Sequence, residues 1–212
     1  MDVSDAEIVD PVAGLLLRRI VVGPFRTNCW VFGPLDGDAA VVVDPGAEAG
    51  RILDATTDRR VEAIVLTHTH GDHVGALDEV AEATGAPVRA HPAEAEVSPR
   101  PWRAGLGQAS PLVEGDRVRV GSVEAAVWHT PGHTPGGVAL RLPGHVLVGD
   151  TLFPGGPGAT RWPYSDFPTV IDSIQRVLFA LPDDTAVHPG HGHDTTIGTE
   201  RPALPAWIER GW

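Results

Sequence analysis

The stretch Ala63-Ile64-Val65-Leu66-Thr67-His68-Thr69-His70-Gly71-Asp72-His73 decides the fold. Ala63–Leu66 is a short apolar run that reads as a buried strand. It leads straight into three histidines and an aspartate within six residues. In extended backbone, side chains two apart point the same way, so His68 and His70 can grip one cation from a strand end. A turn at Gly71, which has no Cβ to obstruct the backbone, can then aim Asp72 and His73 at a second point nearby. Val74–Thr84 alternates apolar and acidic residues like an amphipathic helix, and Gly85 stops it. Imidazole nitrogen with carboxylate oxygen suits zinc, and also iron or manganese.

Working outward, three later segments repeat the arrangement of a strand end followed by a turn. They are His129–Gly136 with His133, Leu147–Thr151 with Asp150, and His188–His193 with His191. Folds that alternate strands and helices build their sites at such places. Of the ten histidines, His129 is expected not to be a ligand, and His193 to face water. His91 and His145, beside Pro92 and Gly144, are expected at turns or the surface.

The remaining pattern predicts strands at Leu15–Val22, Cys29–Phe32, Ala40–Val43, Val88–Ala90 and Thr185–His188, and hairpins over Arg117–Trp128 and Val138–Val148. Helical spacing covers Glu48–Thr57 and, most clearly, Pro168–Leu181, whose Val170, Ile171, Ile174, Val177 and Leu178 form one stripe. The first ten residues read as loose, and Ser98–Pro111 and Phe153–Phe167 as irregular loops. Strands and helices alternate, so the class is α/β. Hairpins among them argue against a purely parallel sheet.

Composition bounds the function. The chain has 212 residues, and its 16 basic side chains are all arginine. Without lysine there is no Schiff-base chemistry and no GxxxxGK[ST] phosphate loop. A net charge of -12 argues against a nucleic-acid partner, because phosphate contacts need a basic surface. Cys29 is the only cysteine, so no internal disulfide forms, and its apolar strand makes it a core residue. No apolar run approaches a membrane span, and the acidic N-terminus is wrong for a signal peptide. These features predict a cytoplasmic protein that is one domain over residues 1–212, with a small-molecule substrate and no membrane partner. They do not speak to oligomeric state.

The sequence resembles the metallo-β-lactamase superfamily. The resemblance runs from Gly23 to Glu200 and rests on Thr67–His73, on His133 within Thr130–Gly136, on Gly149-Asp150-Thr151 and on Pro189-Gly190-His191-Gly192. Asn28-Cys29-Trp30 and the segment from Thr195 to Arg201 make it most similar to the short glyoxalase II-like hydrolases. The resemblance implies a four-layer αβ/βα sandwich of two mixed sheets flanked by helices, with two divalent ions, zinc foremost, at one edge. It implies His68, His70 and His133 on the first ion, and Asp72, His73 and His191 on the second. It implies Asp150 between them, and Asp44 supporting the histidine loop. Two cations sharing a water lower its pKa towards about 7, and the resulting hydroxide, oriented by Asp72, would attack the carbonyl of a small thioester such as S-lactoylglutathione.

Arg161, Trp162 and Tyr164 are the candidates for substrate contacts, with Trp102 and Arg103 next. Only 21 residues follow His191, too few for the helical domain that longer glyoxalase II enzymes use to grip glutathione. A mononuclear iron persulfide dioxygenase, and a lactonase or other ester hydrolase of the same fold, remain alternatives.

Overall fold

The computed structural model describes residues 4–97 and 109–211. Trp102 and Arg103 lie outside the described residues. One sheet has seven strands in sequence order: β1 (Ala6–Asp10), β2 (Leu15–Val22), β3 (Thr27–Pro34), β4 (Ala39–Val43), β5 (Arg60–Val65), β6 (Val88–Ala90) and β7 (Ser110–Pro111). The facing sheet contains β8 (Arg117–Val120), β9 (Val123–His129), β10 (Val138–Leu142), β11 (His145–Gly149), β14 (Ala186–Pro189) and β15 (Thr195–Thr196). Its spatial order is β15-β14-β11-β10-β9-β8. A two-residue pair, β12 (Leu152–Phe153) with β13 (Gly156–Pro157), stands apart. Both sheets are mixed: β4, β5, β6 and β7 run parallel, as do β11 and β14, while the hairpins run antiparallel.

The side-chain alternation of a strand places residues of one strand in different layers. In β4, Ala39, Val41 and Val43 face the opposite sheet and pack with Trp30, Phe32, Val127 and Leu140. Ala40 and Val42 face outward, under α1 (Ala49–Asp54) and α3 (Leu77–Thr84), with Ile52, Leu77 and Val80. Cys29 is fully buried in that outer layer. In β11, Leu147 points inward, while Val146 and Val148 meet α4 (Phe167–Ser173) and α6 (Leu204–Arg210) through Val170, Ile174 and Trp207. Four layers result: helices, sheet, sheet, helices. Each buried Val, Leu or Ile in them contributes about 1.5–3 kcal/mol over the exposed state.

Several expectations are corrected. The N-terminal segment is not loose: Ala6–Asp10 pairs with β2, half-burying Ala6, Ile8 and Asp10 while Glu7 and Val9 face out. The acidic residues Asp5, Glu7 and Asp10 masked a short edge strand. The helix expected over Val74–Thr84 is two, α2 (Gly71–Val74) and α3, separated at Gly75-Ala76. The stripe of Pro168–Leu181 is buried as expected, but the helix widens into a π turn over Ile174–Leu178. The tail after His191 forms β15, α5 (Ile197–Glu200) and α6. Among the described residues no helix is long and apolar enough to cross a membrane.

Arg18 of β2 ties the N-terminal strands to the turn after α1. Its guanidinium donates to Glu7 Oε2 at 2.8 Å, to the Ala55 carbonyl at 2.8 Å and to both oxygens of Asp58. The bidentate contact with Arg18 holds the Asp58 carboxyl at about 2, against an ordinary 3.8. A depressed folded-state pKa stabilises the protein above the unfolded value, and the contribution is lost as pH falls through the folded one. Asp58 is 52% exposed, so solvent screening limits the pair to about 0.2–1 kcal/mol. Asp58→Asn is expected to cost that much at neutral pH and to flatten the loss of stability between pH 3.8 and about 2. Urea midpoints measured across that range test this, and an unaltered acid limb overturns it.

Candidate metal centre

β5 ends at Val65, and the backbone then carries Thr67, His68 and His70 to α2, which begins at Gly71. The parallel neighbour β4 ends beside it in the turn Asp44-Pro45-Gly46. Asp44, buried with φ 52°, accepts from the Thr67 amide at 2.7 Å, from the Thr67 hydroxyl at 2.6 Å and from His73 Nδ1 at 2.9 Å. Both its oxygens are occupied, so it orients donors rather than offering one. The close approach falls on Gly46, not on Gly71. A Cβ at Gly46 would overlap the Asp72 carbonyl, whereas one at Gly71 would meet nothing within 4 Å. Gly71 also lacks a positive φ, so the turn does not require glycine there.

His68, His70 and His133 converge. His70 Nδ1 lies 3.1 Å from both His68 Nε2 and His133 Nε2. For two of them the outer nitrogens fix where the protons sit. His133 Nδ1 donates to the Ala159 carbonyl at 2.8 Å, an acceptor only, so its Nε2 turns a lone pair inward. The Thr67 hydroxyl, which gives its proton to Asp44, accepts from His68 Nδ1 at 3.1 Å. His70 Nε2 lies 2.8 Å from the Tyr164 hydroxyl. Burial, reinforced by the neighbouring imidazoles, holds His68 and His133 below the ordinary histidine value and pushes His70 down to about 4. Ring nitrogens of three neutral imidazoles therefore meet at one point, with the lone pairs of His68 and His133 turned inward.

Beside them, His191 Nε2 lies 3.2 Å from His73 Nε2 and 3.1 Å from Asp72 Oδ2. His191 is oriented through its Nδ1, 3.0 Å from the Phe25 carbonyl. Asp150, at the end of β11, joins the clusters. Its Oδ2 is 3.6 Å from His133 Nε2 and 3.6 Å from His191 Nε2, and its Oδ1 is 3.4 Å from His73 Nε2. Burial pushes both carboxyls up, but His73 and His191 outweigh it and leave Asp72 and Asp150 below the usual range. The reciprocal effect leaves His73 and His191 above theirs, against the opposing effect of burial.

The donors fit divalent cations. Their separations of 3.1–3.8 Å bracket the edge of a tetrahedron with bonds of about 2.0–2.2 Å. Asp150 Oδ1 is buried with no hydrogen-bond partner, and an orphaned carboxylate oxygen costs stability unless a cation meets it. Gly190 permits the approach, since a Cβ there would overlap Asp150 Oδ1 and His73 Cε1.

Residues 22–191 match the family model of the metallo-beta-lactamase superfamily. The chain belongs to that superfamily. Among superfamily relatives it is similar to the probable metallo-hydrolase YqgX of Bacillus subtilis, 35% identical over 89% of this chain and 95% of that one. It is also similar to the hydroxyacylglutathione hydrolase GloC of Haemophilus influenzae, 31% identical over 89% of this chain and 96% of that one. The crystal structure of TTHA1623 in a di-iron-bound form superposes with a TM-score of 0.72 at 36% identity, over 86% of this chain and 96% of that one.

Around this superfamily site, Trp162 packs on His70 at a centroid distance of 4.5 Å and stacks parallel on Tyr164 at 6.3 Å. The Arg161 guanidinium lies 4.9 Å over the Trp162 ring. Phe153 stacks near His191 on the other side. The β12–β13 hairpin and the strand-like segment up to Arg161 line a cavity of about 570 Å³ with Arg210.

Sequence reasoning missed Glu94. It is 1% exposed and accepts from the Thr69 amide, the Thr69 hydroxyl and the Gly136 amide, each at 2.8 Å. It thus clamps the loop of His68 and His70 to the loop of His133. An acid in the run Pro92–Glu96 gives no periodic or motif signal, so only its partners reveal it. His129 bonds the Pro135 carbonyl and stacks on His91, away from the donor clusters. His145 is not a surface residue: it stacks on buried His188.

Proposed function

We propose that this chain is a dinuclear metal hydrolase acting on a small thioester, of the hydroxyacylglutathione type or a related acyl-thiol. The observation that carries the reading is the position of Asp150, whose Oδ2 is equidistant at 3.6 Å from a donor of each cluster. Five imidazoles and two carboxylates then divide into His68, His70 and His133 for one cation, and Asp72, His73 and His191 for the other, with Asp150 shared. The donor chemistry suits zinc, with iron or manganese as the other candidates. The names of GloC and of the di-iron form of TTHA1623 support the substrate class and the two-ion count respectively.

When bound, two such cations acidify a shared water and polarise the substrate carbonyl. The chain's own residues do the rest. Asp44, Thr67, and the Ala159 and Phe25 carbonyls hold the imidazoles in the tautomers that present lone pairs. The Asp72 carboxylate, within 3.4 Å of the Thr27 hydroxyl, orients the attacking hydroxide. Trp162 and Tyr164 wall the first cluster and Phe153 the second, keeping bulk water from the reacting carbonyl. Arg161, held over Trp162, faces an anionic group on the thiol carrier. Cys29, buried in the outer layer, plays no part as nucleophile.

Protein purified without chelators should contain two divalent ions per chain and hydrolyse members of a small thioester panel. One iron per chain with oxygen uptake on a persulfide would replace this reading with the dioxygenase. Ring opening of a lactone without thioester cleavage would replace the substrate class alone.

A further inference from the structure

The loop that carries His191 leaves β14 after Pro189, next to His188, and returns to β15 past Asp194. Across its mouth His188 Nδ1 comes within 3.1 Å of Asp194 Oδ1. The two atoms are in contact without hydrogen-bond geometry at Nδ1. Three further elements grip this pair, and a fourth backs one of them. Arg19, on β2 of the facing sheet, donates to Asp194 Oδ1 at 3.0 Å from a side chain only 10% exposed. His145, opening β11, places Nδ1 3.0 Å from His188 Nε2 and stacks on its ring. Asp10, ending β1, lies 3.5 Å from His145 Nε2. Trp30 of β3 packs against His188 at 4.7 Å and under Arg19 at 5.5 Å. Burial pushes the Asp194 carboxyl up, but His188 and Arg19 outweigh it and leave it below the usual range.

The middle of the loop is held differently. The Asn28 amide donates to the Gly190 carbonyl at 2.7 Å, and the Gly190 amide to the Gly149 carbonyl at 2.8 Å. The Asn28 side chain donates to the Pro189 and Gly192 carbonyls at 2.9 and 3.0 Å. These bonds set the backbone at Gly190, next to Asp150. Beyond Gly192, whose φ is 72°, the return to β15 is secured by Asp194. We infer that His188 and Asp194 are a positioning pair that closes the loop of His191 and so fixes the second cation site. The pair touches neither cation donors nor substrate, and it acts only through the loop. Its consequence for metal binding rests on the assignment of His191 in the proposed function; its consequence for the loop does not.

A retained donor held by the wrong loop geometry loses metal affinity by about 10–100-fold when its outer support is removed. The test uses the full chain, Asp194→Asn and Asp194→Glu, with two readouts. The first is amide hydrogen exchange at His191 and Gly192 in the metal-free protein. The second is titration of that protein with zinc. Asp194→Asn should accelerate exchange at both amides by about tenfold and weaken one of the two zinc steps by about 10–100-fold. The other step and the melting temperature of the metal-free protein should hold, and Asp194→Glu should recover most of both losses. Unchanged loop exchange overturns the inference. So does a variant in which both zinc steps fall together with the melting temperature, because that is the signature of a general structural role. A wild-type chain that takes up a single zinc overturns the two-ion reading instead, and loop exchange then decides the pair's role by itself.

Discussion

Asp150→Ala should lower thioester turnover by about a thousandfold or more, equivalent to about 4 kcal/mol of lost transition-state stabilisation, and should also destabilise the metal-free protein. The two halves of this expectation have different origins. Asp150 lies within 3.6 Å of donors from both clusters, so in the proposed reading its removal uncouples two three-donor sites. In the metal-free chain the same carboxylate is a counter-charge to His73 and His191. Its loss leaves His73 without one of the carboxylates that hold it above the ordinary histidine value, and an uncompensated buried charge costs free energy. Wild-type protein should gain thermal stability on adding zinc, through ligand linkage, and the variant should gain much less. Calorimetry with and without metal, beside steady-state rates, reads both. A variant that binds two ions and turns over at the wild-type rate would refute the assignment of the site.

Glu94→Ala should have a different profile, losing fold before chemistry. Its carboxylate satisfies three buried donors, on Thr69 and Gly136. Truncation strands them, at about 1–3 kcal/mol for each group that finds no water. A total of about 3–5 kcal/mol corresponds to a fall in melting temperature of about 10 °C or more for a chain of this size. Glutamine is no rescue, because its NH2 would face a donor at one of the two oxygen positions. The residual folded fraction should also bind its first cation poorly, since the clamp joins the loops of His68 and His133. Melting curves and zinc titration of Glu94→Ala and Glu94→Gln test this. Wild-type stability in either variant would show that Glu94 is dispensable.

The contrast between these two residues shows what a sequence can and cannot display. Asp150 stands in Gly149-Asp150-Thr151 after an apolar strand, and its place in a motif made it visible. Glu94 does more of the structural work at the same site, yet nothing in Pro92–Glu96 distinguishes it from a solvated acid. Asp44 lies between the two: the turn Asp44-Pro45-Gly46 was legible, but its grip on both Thr67 and His73 depends on β4 and β5 ending side by side. The secondary structure follows the same division. Apolar runs announced β2, β4 and β11. The edge strand Ala6–Asp10 was hidden, because it is only five residues long and its outer face, Glu7 and Val9, meets water. The break at Gly75-Ala76 was hidden too, because the apolar pattern continues through it.

By itself, the sequence determined the layered α/β class and the kind of chemistry. Period-two alternation and the tight spacing of His68, His70, Asp72 and His73 are local properties, written within one strand end and one turn. Tertiary structure decided how the donors divide: His133 joins His68 and His70, His191 joins Asp72 and His73, and Asp150 stands between. It alone decided that Tyr164 meets His70, that Glu94 clamps two loops, and that His188 and Asp194 close a third. The physical reason is that the role of a buried polar group is set by the partner that satisfies it. At this centre the partners lie as far as 166 residues away along the chain, as between Phe25 and His191.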